Sequence, residues 1–245
     1  MLCTFCSRHV PWTESGPIVS FSFDDFPRSA LAEGARIIEG FGGRATYYVS
    51  MSLMNKSNAL GEQFRLDDLY LLVDRGHELG SHTFSHCSSR KVRLDLFKND
   101  VEQGERAIQQ GTGITASNNF AYPYGEVTLK SKQALASMMR SCRGTCGGLN
   151  GGTSAVDLNL LRANSLYGDV DRLEMARKLI LENERRKSWL IFYSHDVSAR
   201  PSQFGCTPDL LIATVAAAAR SGTRILPVGQ VVAELERQPQ SQLVV

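Results

Sequence analysis

Short runs of apolar and aromatic residues recur along the chain, and segments with helical periodicity separate them. Several runs show no strict alternation of apolar and polar positions, which is typical of buried parallel strands. They predict strands at Ile18–Phe23, Ala45–Ser50, His77–Ser81, Asn119–Tyr122, Arg140–Arg143, Leu161–Leu166, Trp189–Ser194 and Arg224–Leu226. The segments between them predict helices at Ser29–Gly40, Leu66–Arg75, Leu94–Gln110, Val127–Met139, Asp171–Lys187 and Pro208–Ser221.

This alternation of strands and helices predicts an α/β fold with a parallel sheet. The strand–helix units follow one another without a linker rich in proline or serine and without an internal repeat. The continuity favours a single α/β barrel over an open sheet with a second domain. We expect residues 1–16 and 238–245 to be peripheral or flexible ends.

Composition and charge exclude several classes of protein. The chain has 245 residues, of which 42% are hydrophobic and 21% charged, as in ordinary globular domains. Its formal charge is only +2 and its basic residues are scattered, so we expect no nucleic-acid partner. No apolar stretch approaches the ~20 residues of a membrane helix. The N-terminus lacks the pattern of a secretory signal, so we expect a cytoplasmic protein.

The cysteines are interpreted as free thiols rather than as a disulfide framework. There are six of them: Cys3, Cys6, Cys87, Cys142, Cys146 and Cys206. Cys3 and Cys6 form a C-x-x-C motif with His9 nearby, but no second ligand pair of matching spacing accompanies it. We therefore interpret this motif as part of an unliganded chain end.

Two polar clusters come directly after predicted strands. Asp24 and Asp25 follow the first strand, and His82 and His86 follow the third. In α/β barrels such strand ends form the catalytic rim, whereas a helix cap would use only one of the two carboxylates. We expect the histidines, at positions i and i+4, to lie on one face of a helical turn. One carboxylate and two histidines make a three-ligand site for a divalent metal, and the other aspartate is then available to accept a proton from water.

Two further strand ends complete the candidate rim. His195 ends an apolar strand, and its position at the rim favours general acid chemistry over a purely structural role. The segment Phe120–Gly125 ends a strand in a turn that Pro123 makes rigid. Backbone N–H groups of this turn could face a developing oxyanion.

In this order, the motifs resemble those of the polysaccharide deacetylases of the NodB-homology type, also called carbohydrate esterase family 4. The resemblance covers the chain from about Ile18 to Val232. It implies a distorted (β/α)7-type barrel that uses zinc or another divalent ion. The matching segments are Ser22–Asp25, for the motif T/S-F-D-D; His82–His86, for H-[ST]-x-x-H; Ala121–Gly125, for R-P-P-Y-G; and Phe192–His195, for L-x-x-H.

The resemblance also implies a role for each candidate residue. Asp24 is implied as the catalytic base, the Tyr124 backbone N–H as an oxyanion donor and His195 as the general acid. The implied metal ligands are Asp25, His82 and His86. Ala121 stands where the family has an arginine that holds the base, and Arg143 is the candidate to replace it. The family's D-x-x-D-W motif is not recognisable around residues 162–171.

Together, the residues and the resemblance predict a metal-dependent hydrolase of a carbon–nitrogen bond. Its expected substrate is an N-acetylated sugar, oligosaccharide or glycan precursor. Four alternatives stay open: the same barrel acting on a small non-carbohydrate amide, a degenerate barrel that binds glycans without cleaving them, a thiol amidase that uses Cys87 or Cys206, and a two-histidine, one-carboxylate iron oxygenase. The oxygenase would leave Asp24 and His195 without a function.

Overall fold

A curled parallel sheet lies at the centre of the molecule, which a computed structural model describes over residues 6–14, 16–114 and 118–237. Its parallel strands are β1 (Ile18–Asp24), β2 (Thr46–Val49), β3 (Glu78–Ser81), β4 (Asn119–Ala121), β5 (Ser141–Arg143), β6 (Asn164–Ser165), β7 (Ser188–Ser194) and β8 (Arg224–Ile225). The main path of the sheet runs in the order β6-β7-β1-β2-β3-β4-β5. Strand β8 pairs with the start of β1.

The two ends of this path meet beside Arg143. A parallel bridge joins Arg143 of β5 to Leu161, which precedes β6. The Leu161 backbone N–H donates to the carbonyl of Cys142 at 2.7 Å, and the Gly144 N–H donates to the carbonyl of Leu161 at 3.0 Å. The sheet therefore curls round as a distorted barrel, and the predicted (β/α)7-type barrel is confirmed.

Helices and short strands surround the sheet. The α-helices are α1 (Arg36–Gly40), α2 (Leu66–Asp74), α3 (Leu94–Thr112), α4 (Leu129–Leu135), α5 (Leu173–Arg186), α6 (Pro208–Arg220) and α7 (Val228–Arg237). A π-helical segment, Ala30–Ala35, runs into α1, and 3₁₀ turns occupy Met51–Leu53, Pro123–Gly125 and Val170–Arg172. Antiparallel pairs of short strands join His9–Val10 to Val156–Asp157, Ser57–Asn58 to Gly61–Glu62 and Asn150–Gly151 to β7. Across the described ranges, no helix combines the length and apolar character needed to cross a membrane.

The alternation of side chains along β1 explains why the barrel interior becomes polar at one end. On β1, Val19, Phe21 and Phe23 belong to the cluster that packs against the outer helices. The alternate positions, Ser20, Ser22 and Asp24, are buried on the other face, because successive side chains of a strand point to opposite sides. Asp24 therefore points into the barrel at the carboxyl end of β1.

Helix α7 was not predicted from the sequence, although Val228, Val231, Val232 and Leu235 repeat at helical spacing and are buried. The Glu78 carboxylate of β3 accepts a hydrogen bond from the Gly229 N–H in the first turn of α7 at 2.8 Å. The same carboxylate accepts from the Thr46 hydroxyl and the Asn119 amide, each at 2.6 Å. A carboxylate at a helix N-terminus stabilises the helix, but this one comes from a distant strand that no local pattern reveals.

The N-terminal segment is packed against the barrel wherever it is described. His9 and Val10 pair with residues 156 and 157, and the Trp12 indole N–H donates to the carbonyl of Lys187 at 2.6 Å. This part of the predicted peripheral end is therefore held in place. Cys3 and the tail 238–245 lie outside the described residues.

Candidate active site

The segments that directly follow strands β1, β3, β4 and β7 meet at one end of the barrel. They carry the sequence-predicted residues Asp25, His82, His86, Tyr124 and His195. These are carboxyl ends of parallel strands, where α/β barrels place their active sites. The predicted rim is therefore formed, and its side chains come together from residues far apart in the sequence.

Three potential ligand atoms converge where the buried Asp25 and His82 meet the half-buried His86. Their donor atoms lie within 4.8 Å of one another. Asp25 Oδ1 is 3.2 Å from His86 Nε2 and 3.7 Å from His82 Nε2. This Oδ1 atom is buried and has no hydrogen-bond partner within the described part of the chain. One carboxylate oxygen and two imidazole nitrogens that face each other without a shared hydrogen bond fit a divalent cation of the zinc type.

The surroundings also set the protonation of this cluster. His82 Nδ1 donates to the carbonyl of Ala121 at 2.8 Å, so its Nε2 lone pair faces the cluster. Burial lowers the pKa of His82 to about 3 and also lowers the pKa of His86. Burial raises the pKa of Asp25 to about 6 in the metal-free protein. Both imidazoles are thus neutral and able to act as ligands at neutral pH.

The predicted helical turn over the two histidines was wrong. Residues 82–86 form a loop in which Thr83 and His86 have φ values of 62° and 57°, outside the helical region. Helix α3 holds this loop, since the Phe84 N–H donates to the carbonyl of Asp100 at 3.0 Å. A Cβ atom on Gly104 of α3 would lie 3.0 Å from the carbonyl carbon of Thr83. The histidines converge through this close packing and not through helical spacing.

Left-handed backbone conformations are concentrated in the site loops. Five residues other than glycine in these loops have positive φ: Asp25 (63°), Phe26 (64°), Thr83 (62°), His86 (57°) and Tyr124 (60°). Such conformations are costly for residues with a Cβ atom and persist where the surrounding packing imposes them. Three of the five belong to the predicted site, which is consistent with strain held at a functional centre.

Arg143 reaches Asp24 across the barrel interior. Its Nη2 atom lies 2.5 Å from both carboxylate oxygens of Asp24, and the arginine is fully buried. The guanidinium lies between the rings of Tyr48 and Tyr193, at 5.0 and 4.9 Å from their centroids. Burial raises the pKa of Asp24. Arg143, His82 and His195 together lower this pKa by more than burial raises it, so it lies below its usual value. Asp24 is therefore ionised at neutral pH.

The Arg143→Met variant is expected to unfold more easily and to leave Asp24 unable to act as a base. Removing one partner of a buried ion pair costs about 3–5 kcal/mol, because the other charge stays buried without compensation. The pKa of Asp24 should rise, since burial then acts without the opposing guanidinium. Urea unfolding and turnover measured on the same preparation test both effects.

A matched control for this variant is Arg185→Met on α5. Arg185 also pairs with a carboxylate, that of Glu182 at 2.7 Å, but this pair is exposed. Exposed pairs contribute little to stability, so the unfolding midpoint should hardly change. Equal effects of the two substitutions would contradict a special role for the Arg143–Asp24 pair.

His195 lies at the rim with one ring nitrogen held by the backbone. Its Nδ1 is 3.1 Å from the carbonyl of Phe204, which can only accept, so Nδ1 carries a proton and donates it. This bond directs Nε2 away from Phe204. The ring lies near Tyr167 and Phe204, with centroid distances of 6.0 and 5.6 Å.

Tyr124 lies next to the metal-ligand cluster. Its ring centroid is 4.5 Å from that of His86, and the residue is 63% exposed. The following Gly125 is also left-handed, and a Cβ atom there would overlap the Thr145 side chain. The glycine and the strained tyrosine together set the direction of this turn. The role of the Tyr124 N–H as an oxyanion donor stays a prediction.

Several residues around the site were missed by the sequence analysis. Tyr48 and Tyr193 enclose Arg143, and Tyr167 and the carbonyl of Phe204 contact His195. The only available signal was position, since Tyr193 lies two residues before His195 and on the same face of the strand. No sequence motif marks the Phe204 carbonyl.

The two cysteines considered as nucleophiles are poorly suited to that role. Burial raises the pKa of Cys87 to about 11, and its thiol donates to Asp100 at 3.3 Å. Burial also raises the pKa of Cys206 to about 12. Because the thiolate is the reactive form, neither side chain has the activated character of a catalytic cysteine.

The barrel and its polar rim define an α/β-barrel enzyme, and comparison with known proteins gives its family. The family model described as "Polysaccharide deacetylase" matches residues 13–140, more than half of the chain. The chain belongs to the polysaccharide deacetylase family, whose members are hydrolases. A search among curated proteins finds no match.

Solved structures of deacetylases share the fold. The Xyl-CE4 domain of a multidomain xylanase from the hindgut metagenome of Trinervitermes trinervoides has a TM-score of 0.62 and 19% identity, over 94% of this chain and 96% of that one. The chitin deacetylase of Colletotrichum lindemuthianum has a TM-score of 0.61 and 18% identity, over 90% of each chain. Peptidoglycan deacetylase PdaC of Bacillus subtilis has a TM-score of 0.54 and 15% identity, over 93% and 95%. At these identities the likeness establishes the fold alone.

Proposed function

We propose that the protein is a metal-dependent N-deacetylase of an N-acetylated sugar, oligosaccharide or glycan precursor. The observation that carries this proposal is the convergence of Asp25, His82 and His86 beside Asp24, a carboxylate kept ionised by a buried arginine. Membership of the polysaccharide deacetylase family supports it. So does the shared fold with enzymes described as chitin and peptidoglycan deacetylases.

In this proposal, Asp25, His82 and His86 hold one divalent ion, of which zinc suits the donor set best. The ion would polarise the acetyl carbonyl and make water a better nucleophile at neutral pH. Asp24 accepts a proton from the attacking water, and Arg143 keeps that carboxylate ionised until it does so. When the deprotonated water attacks the carbonyl carbon, the former carbonyl oxygen becomes negatively charged.

The other two residues act on the groups that develop charge. The Tyr124 backbone N–H donates to the oxyanion, which lowers the energy of the tetrahedral state. With both of its ring nitrogens protonated, His195 gives the proton on Nε2 to the departing nitrogen, so that the carbon–nitrogen bond breaks to release acetate and a free amine. The hydrogen bond from Nδ1 to Phe204 orients the ring for this transfer.

The alternatives have less support. A barrel that only binds glycans was suggested by the missing motif arginine, but Arg143 contacts the carboxylate that such an arginine would hold. An iron oxygenase gives Asp24 and His195 no function. A small non-carbohydrate amide uses the same chemistry, and only a substrate assay separates it from an acetylated saccharide.

The test is acetate release from N-acetylglucosamine oligomers of several lengths, by protein stripped of metal and by the same protein with zinc or another divalent ion restored. We expect release that depends on added metal. Activity on small acetamides but on no saccharide would favour the amide alternative. Saccharide binding without any release would favour the degenerate barrel.

The His195→Ala variant is expected to keep its metal and lose turnover by a factor of roughly 10²–10⁴, as is usual when a general acid is removed. Metal content and acetate release are measured on one sample. His9→Ala, which changes an exposed histidine on the N-terminal strand, is the control and should retain activity. If His195→Ala loses metal but keeps its rate per bound ion, His195 is a ligand instead.

A further inference from the structure

Three basic side chains lie in the segments that follow the candidate site residues, two of them in a loop and one in the first turn of α4. Arg90 and Lys91 come shortly after His86, and Lys130 comes shortly after Tyr124. All three are exposed, and none has an ion-pair partner among the residues that the structure describes. We refer to Arg90, Lys91 and Lys130 as the basic flank.

The acidic residues Glu126 and Asp95 make no ion pair with the basic flank within the described part of the chain. The Glu126 carboxylate accepts a hydrogen bond from the Ser88 hydroxyl, and the Ser89 hydroxyl donates to the carbonyl of Glu126 at 2.8 Å. Asp95 pairs with Arg93 at 2.6 Å. The same serine contacts tie the loop after His86 to the turn after Tyr124. An open groove of about 450 Å³ beside the start of α4 is lined by Lys130 together with the ion-paired Arg93 and Asp95.

Tyr124 connects the basic flank to the metal-ligand cluster. One neighbour of its ring is the His86 ring at 4.5 Å, and another is the Lys91 ammonium, 5.6 Å from the ring centroid. This cation–π contact keeps the ammonium close to the site. An exposed aromatic face suits the apolar face of a sugar ring, so a saccharide resting on Tyr124 would bring its substituents to Lys91.

We propose that the basic flank binds an anionic group, a carboxylate or a phosphate, on the saccharide whose acetamido group is hydrolysed. This inference rests on the proposed function and narrows its substrate class to N-acetylated saccharides that carry an acidic or phosphorylated sugar. Lysine ammonium groups bind either anion as compact point charges. The attraction is local, because the whole chain has a formal charge of only +2.

The experiment compares neutral N-acetylglucosamine oligomers with two anionic substrates: oligomers that alternate N-acetylglucosamine with glucuronate, and N-acetylglucosamine 6-phosphate. We expect the wild type to have a higher kcat/KM for at least one anionic substrate, and the better of the two identifies the anion. Lys91→Gln with Lys130→Gln should lower the ratio of anionic to neutral kcat/KM roughly tenfold, mainly through KM. The control is Lys178→Gln, which changes an exposed lysine on α5 and should keep the wild-type ratio.

The salt dependence of the substrate preference is an independent test of the inference. The Debye length falls from about 8 Å at physiological ionic strength to about 3 Å at 1 M, so added salt screens the attraction. The anionic preference of the wild type should shrink at high salt. A wild type that does not prefer either anionic substrate, or a ratio unchanged in the double lysine variant, overturns the inference.

A failure of the proposed function is distinguished from a failure of this inference, because in that case no substrate, neutral or anionic, releases acetate. Calorimetric binding of the glucuronate oligomers to Asp24→Asn protein does not depend on turnover and decides the inference in that case. Binding tighter than for neutral oligomers, and weakened by adding Lys91→Gln, supports the basic flank. Equal binding of neutral and anionic oligomers rejects it.

Discussion

Protein carrying His82→Ala and His86→Ala is expected to purify without metal, whereas the wild type is expected to carry about one divalent ion per chain. Two of the three ligand atoms that converge in the site are removed, and Asp25 alone offers one carboxylate. All metal-dependent acetate release should disappear with the ion. Metal analysis and the acetate assay on the same preparation measure both losses.

The control for this variant is His9→Ala, which should retain the ion. Correct folding of the double variant is checked by its circular dichroism and its unfolding curve, because His82 also donates a buried hydrogen bond to Ala121. Full metal occupancy in a folded double variant would reject this ligand assignment and, with it, the site on which the proposed function depends.

Metal affinity should also depend on pH in a defined direction. Asp25 has a pKa of about 6 in the metal-free protein, whereas burial keeps His82 neutral down to a pKa of about 3. Below pH 6 a proton on Asp25 competes with the ion, so affinity should fall by roughly tenfold for each pH unit. Above pH 6 the carboxylate is already free and the dependence on this residue should flatten. Titration with zinc between pH 5 and pH 7.5 measures it.

The place of the site could be predicted from the sequence because it depends on topology. Asp24, His82 and His195 each come at or just after the end of a run that reads as a buried strand. The carboxyl ends of parallel strands lie at one end of a barrel, so these residues had to meet there. The local sequence pattern that marks each strand was therefore enough to predict where the site lies.

The contacts that activate the site needed the folded chain. Arg143 and Asp24 are separated by 119 residues, and only the curvature of the sheet brings β5 opposite β1. The sequence marked Arg143 as a candidate, but it contained no sign of the two tyrosine rings that enclose the guanidinium. Likewise, the spacing of His82 and His86 predicted a shared metal site, although the helical geometry assumed for it was wrong. Left-handed backbone at Thr83 and His86 depends on packing against α3, which local propensity does not encode.

Replacement by asparagine is expected to have different effects at the two neighbouring aspartates. Asp24→Asn should keep the ion and lose turnover by roughly 10²–10⁴, because an amide cannot take the proton that the carboxylate accepts. Asp25→Asn should lose the ion, since the carboxylate oxygen among the ligand atoms is replaced by a weaker donor. Metal content and acetate release, measured on matched samples of both variants, test the two roles at once.

Asp24→Asn also removes the charge partner of Arg143, so its stability has to be measured beside its activity. The arginine stays buried, and its Nη1 atom keeps a hydrogen bond to the carbonyl of Gly144 at 3.1 Å. We therefore expect a folded protein with a lower unfolding midpoint, and the rate is compared only at temperatures well below that midpoint. Loss of the ion from Asp24→Asn with retention in Asp25→Asn would exchange the two roles. Full activity of Asp24→Asn on a verified substrate would mean that the Arg143–Asp24 pair only supports the barrel, because the step that needs a base would then proceed without this one.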